Sequence, residues 1–231
     1  MRSSQMLISS ILLSAMLSFS VFPQVVKAQD SLNTHASVTL IDGPDPTDPN
    51  KILDPYDPDR SYPGDIYDVG NDGTGSIGQL TLDYVSNLRF GTYQAKQGGL
   101  TATAKNTHAM VQITDGRGNG NGWTLQLKPS AMVGEQTGAV LKDGYLYLGT
   151  QAIRKPTANV SDAPLSKTLR IPLDTYENIT VAPKNTGMST WTVGFNQYAS
   201  SPTQLVLNDV SNAKADHYVG SLSWSLTNAP V

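Results

Sequence analysis

Beyond Gly75, apolar and polar side chains alternate in short runs separated by Gly, Asn, Asp and Pro. Gln79-Leu-Thr-Leu-Asp-Tyr84 is the first, followed by runs at 110–114, 123–128, 145–153, 167–171, 179–182, 190–195, 204–207 and 218–227. Successive side chains of a strand point to opposite faces, so a period of two rich in β-branched and aromatic residues predicts half-buried strands. No run has a convincing period of 3.6, and the expected class is therefore all-β. About nine or ten strands at this spacing suit one β-sandwich or barrel-like domain. The runs 110–114 and 123–128 form a candidate hairpin around the flexible, Gly- and Asn-rich stretch from Asp115 to Gly122.

Two of these runs carry the same triplet, Trp123-Thr124-Leu125 and Trp224-Ser225-Leu226, and hold two of the three tryptophans. As strands, each puts Trp and Leu on one face and a small hydroxylic residue on the other, with the stripes extending to Leu127 and Leu222. Such stripes either seal a core or present a rigid apolar surface to a partner. The two strands are candidates for neighbours in space, although the likeness is too short to define a repeat.

Upstream the pattern changes. Arg2, an apolar stretch from Met6 to Val21, and Val26-Lys27-Ala28 have the tripartite form of a secretory signal peptide, with Gln29 as the expected mature start. Serines dilute the stretch, whereas a spanning helix needs about 20 predominantly apolar residues. Cleavage is therefore expected, leaving no membrane span in the mature protein. Between Asp42 and Gly75, the runs Asp-Gly-Pro-Asp-Pro-Thr-Asp-Pro and Leu53-Asp-Pro-Tyr-Asp-Pro-Asp predict a stiff, mostly disordered spacer. One short strand is expected before it, at 36–41. The expected organisation is thus a signal peptide at 1–28, an Asp/Pro-rich spacer at 29–74 and a β domain at 75–231.

Composition narrows the function. The chain has no cysteine, unusual for a eukaryotic secreted domain and better suited to a bacterial surface. Removing Arg2 and Lys27 from its 16 basic residues leaves 14 against 19 acidic, a formal charge of −5. Nucleic-acid binding is not expected from such a balance. The Asp115–Gly122 stretch precedes a strand, not the helix that a phosphate loop requires. Asp68-Val-Gly-Asn-Asp-Gly73 begins like a calcium loop, yet Gly70 and Gln79 stand where ligands are needed. His35, His108 and His217 form no metal-ligand spacing, and no Gly-x-Ser-x-Gly turn is present. No cofactor or metal is therefore expected, and Asp83, Asp115 and Glu135 would have to converge in a cleft for an enzymatic reading.

The segment Leu82-Asp-Tyr-Val-Ser-Asn-Leu-Arg-Phe-Gly91 is followed in order by Val111-Gln-Ile-Thr-Asp-Gly-Arg-Gly118, Gly122-Trp-Thr-Leu125 and a closing Tyr218-x-x-x-Leu222-x-Trp224-x-Leu226-x-x-x-Pro230. This order resembles the WxL-domain surface proteins of Gram-positive bacteria over 75–231, with Ser223 and Ser225 where threonine is usual. The resemblance implies a secreted, non-enzymatic protein held non-covalently at the cell wall, with peptidoglycan as ligand. It also implies companion surface proteins, and surface attachment leaves room for an adhesive role. The implied wall-binding motif is Trp123, Leu125, Tyr218, Leu222, Trp224, Leu226 and Pro230. The alternative is a structural or adhesive subunit that binds a companion protein rather than glycan.

Overall fold

A computed structural model describes residues 51–94, 98–167 and 169–228, all within one compact unit. The expected signal peptide, the strand at 36–41 and Pro230 lie outside them. In chain order the strands are β1 Leu80–Val85, β2 Leu100–Thr103, β3 Met110–Asp115, β4 Trp123–Pro129, β5 Met132–Gly134, β6 Val140–Leu141, β7 Gly144–Tyr147 and β8 Ala152–Arg154. They continue with β9 Leu165–Ser166, β10 Arg170–Pro172, β11 Glu177–Ala182, β12 Ser189–Gly194, β13 Gln204–Leu207, β14 Tyr218–Val219 and β15 Leu222–Thr227.

The all-β class is what alternation predicted, but among the described residues fifteen strands replace the expected nine or ten. Long runs break where the backbone must turn between sheets. The run 145–153 divides into β7 and β8 at Gly149, whose φ of 70° and closeness to the Ser201 carbonyl (2.3 Å from a would-be Cβ) admit no side chain. Three four-stranded antiparallel sheets have the orders β1-β3-β12-β8, β10-β7-β13-β2 and β15-β4-β11-β9, and a three-stranded sheet has the order β14-β5-β6. None of these sheets closes into a barrel.

The candidate hairpin does not form. β3 pairs with β1 and β12, whereas β4 pairs with β11 and β15 in a different sheet. Residues 115–122 are therefore a crossover, and a tightly tied one. Arg117 Nε and Nη2 each donate to Asp115 at 2.8 Å, and Nη2 also donates to the Gly122 carbonyl at 2.7 Å. The guanidinium thus clamps both ends of the loop to each other.

The main core collects apolar side chains from all three four-stranded sheets, among them Val111, Ile113, Trp123, Leu125, Leu127, Leu146, Ile171 and Ile179. A second cluster, around Ala102, Leu173, Leu205, Leu207 and Val210, borders Phe90, Leu100 and Met132.

The spacer expectation needs correction for residues 51–74, which pack on β1 and β3. Leu53 is buried, its amide donates to Gln112 Oε1 at 2.8 Å, and Gln112 Nε2 returns a bond to the Lys51 carbonyl. Asp65 Oδ2 accepts from the Thr107 and His108 amides, both at 2.9 Å. Asp68 accepts from the Tyr84 hydroxyl, the Asn71 side chain and both nitrogens of Asn87. Carboxylates that would repel and solvate in a free chain are here consumed by donors of the domain. Burial, followed by bonds to Tyr62 and Asp68, pushes the Tyr84 phenol far above its ordinary range, so it remains a donor.

Candidate functional site

The two triplet strands are neighbours. β15 pairs antiparallel with β4, setting Trp224 opposite Leu127, Leu226 opposite Leu125 and Thr227 opposite Thr124. Directly opposed residues share a sheet face, so both stripes point toward the same core. Their burial differs because their positions in the sheet differ. β4 lies between β15 and β11, whereas β15 is the outer strand among the described residues.

Trp123 and Leu125 are completely buried. The Trp123 indole N–H donates to the Gly187 carbonyl at 2.9 Å, so the ring is finished internally, with no polar atom left for a ligand. Trp191 is likewise buried, its N–H given to the Met188 carbonyl. Trp224 differs from both. It is half-buried, rests on Phe195 with ring centroids 6.2 Å apart and planes inclined by 25°, and its N–H has no partner among the described residues.

Trp224 also lines a cleft of about 1640 Å³. Leu222 and Tyr218 share it, so three residues of the closing motif meet at this surface; Leu222, Trp224 and Leu226 all pack on the core, but Leu226 does not line the cleft. Tyr218 is fixed by its hydroxyl, which accepts from the Lys214 amide at 3.0 Å and donates to the Lys214 carbonyl at 3.1 Å. Another part of the lining comes from the segment expected as spacer: Ile66 (79% exposed), Tyr67 and Val69 (85% exposed). Leu88, Arg89, Phe90 and Tyr93 contribute from the chain after β1. These contributors were invisible to period-two reading because they sit in loops. The Leu82–Gly91 segment within the motif order signalled Leu88, Arg89 and Phe90 alone among them.

The cleft's charge departs from that of the chain. Arg89, Lys105 and Lys214 line it against one carboxylate, Asp216. Hydrogen bonds from the Thr137 hydroxyl and amide hold Asp216 below the usual carboxylate range, and those bonds tie the turn after β5 to the 213–219 segment. His217, which also lines the cleft, pairs with Glu135 at 2.9 Å, both side chains being exposed.

The remaining acids are engaged separately. Asp83 accepts from Thr81, Thr114 and Gln112, and Asp115 is held by Arg117. His108 makes edge contacts with Tyr56 and Tyr62 at 5.1 and 6.3 Å between centroids. Among the described residues, no group of His, Asp and Glu is arranged to hold a metal ion.

A family model described as WxL domain surface cell wall-binding matches residues 27–230, most of the chain. The chain belongs to this family. No curated protein and no solved structure gave a match. The match begins well before residue 75, in keeping with the packing of 51–74 on the β domain. Membership places this WxL protein at the cell wall, on the extracellular surface.

Proposed function

We propose that the protein attaches to the cell wall by binding peptidoglycan in the cleft that Tyr218, Leu222 and Trp224 line. The observation that carries this reading is the difference between the tryptophans: only Trp224 combines an accessible ring, a rigid aromatic backing and an indole N–H without a described partner. Sugar rings stack on aromatic faces and accept hydrogen bonds from such donors, each contact being modest alone. Repetition of the ligand along the wall polymer supplies avidity if several copies engage. Trp123 and Leu125 then serve the site from below, by fixing the strand on which β15 is hung.

A second reading, docking on a companion surface protein, rests on a sheet face that adjoins the cleft at Val219. Val219, Val133 and Val140 lie directly opposite one another across β14, β5 and β6, and are 44, 42 and 55% exposed. Three adjacent valines on one sheet face suit a protein partner better than a glycan.

Co-sedimentation of the purified protein with wall sacculi tests the first reading. The protein is expected to pellet with sacculi, and Tyr218→Ala combined with Trp224→Phe to weaken this about tenfold or more while retaining the native circular dichroism spectrum. Absence of pelleting, with retention on intact cells, would replace it by the companion reading.

A further inference from the structure

The cations of the cleft have no structural work to do. Arg89, Lys105 and Lys214 make no ion pair and no side-chain hydrogen bond with any described residue, whereas elsewhere in the domain Arg117 is bonded to Asp115 and the Gly122 carbonyl, and Arg154 Nη1 to the Pro55 carbonyl and Gln197. Two of them are held together by the fold. The Lys105 amide donates to the Arg89 carbonyl at 2.7 Å, and the Lys105 stem lies along Gly91, its Cε 3.1 Å from where a Cβ would stand. The third stands on the 213–219 segment, where the Tyr218 hydroxyl bonds both backbone groups of Lys214. The chain as a whole is acidic, at −3. Yet the Arg and Lys side chains lining the cleft outnumber its single carboxylate by 3 − 1 = 2, and that carboxylate is already bonded to the 136–137 turn. Unpaired cations beside an aromatic floor suit a ligand that offers apolar or sugar surface together with negative charge.

Resting on the reading that this cleft is the wall site, we infer that it takes the carboxylate-bearing peptide portion of the wall glycopeptide, with Arg89, Lys105 and Lys214 recognising the carboxylates. Carboxylates are preferred as the anion because Arg89 offers a planar fork that matches them, and because the aromatic floor beside it suits the adjoining sugar. Recognition then reads the junction of peptide and glycan rather than glycan alone.

Co-sedimentation with sacculi separates this inference from the reading beneath it. The variant Arg89→Gln, Lys105→Gln, Lys214→Gln changes only exposed side chains and is expected to keep the native circular dichroism spectrum while binding about tenfold more weakly. The charge-conserving variant Lys105→Arg, Lys214→Arg, which leaves the Arg89 fork in place, is expected to retain most of the binding. Sacculi whose carboxylates have been amidated should bind the native protein as weakly as untreated sacculi bind the glutamine variant, and should show little further loss with that variant. Removing phosphodiester-linked polymers from the sacculi should leave binding unchanged. Equal binding by the glutamine variant, or loss on removing phosphodiester polymers but not on amidation, overturns the inference. If Tyr218→Ala with Trp224→Phe still abolishes binding in that case, the cleft stands as the wall site and only its anion selectivity falls. If neither set of changes matters, the cleft reading falls as well.

Discussion

Replacing Trp123 by alanine is expected to destabilise the domain by about 3–5 kcal/mol, the cost of emptying a large buried ring site. The ring is fully enclosed in the core, on a strand paired on both sides, and would leave the Gly187 carbonyl without its donor. Domains of this kind have a total stability of roughly 5–15 kcal/mol, so the change removes a large share. Urea denaturation checks the magnitude. Wall attachment by Trp123→Ala should decline in parallel with its folded fraction, because the side chain is below the surface and not on it. Weaker attachment by a variant that remains fully folded would show that Trp123 acts in some other way.

Arg117→Ala is expected to cost about 3–5 kcal/mol, because it strands a buried carboxylate. The Asp115 side chain is 1% exposed and that of Arg117 10%, and the pair joins β3 to the entrance of β4. Adding Asp115→Asn removes the stranded charge. The double variant should therefore be more stable than the sum of the single losses implies, by about 1–3 kcal/mol. A double-mutant cycle by urea denaturation checks this; additive losses would mean that the clamp is not a coupled unit. The Asp-x-Arg spacing was in plain view in the motif order, yet only the crossover between sheets gives it a purpose.

Period-two alternation located the long strands because their inner faces are buried and their outer faces are not. It suggested that the two triplets were neighbours, and β4 and β15 are indeed paired. It left open whether the tryptophans were core or surface, since Trp123 and Trp224 have the same local pattern. What separates them is non-local: β11 covers one side of β4, and no described strand covers the outer side of β15. The same limitation explains the misreading of 51–74. Asp and Pro signal extended, hydrated chain, but the donors that satisfy Asp65 and Asp68 include groups of residues 84, 87, 107 and 108, and composition does not register them. The cleft was hidden for both reasons, being assembled from that segment, from loop residues 88–93 and from the outer strand.

The most direct measurement of the central claim is acrylamide quenching of tryptophan fluorescence, with and without soluble peptidoglycan fragments that keep their peptides. Trp123 and Trp191 are 0 and 1% exposed, so the free protein should show one readily quenched tryptophan, Trp224, over a protected background. Saturating fragments are predicted to protect it. Fragments that bind while leaving the quenchable tryptophan as accessible as before would contradict the assignment of the cleft as the wall-binding site.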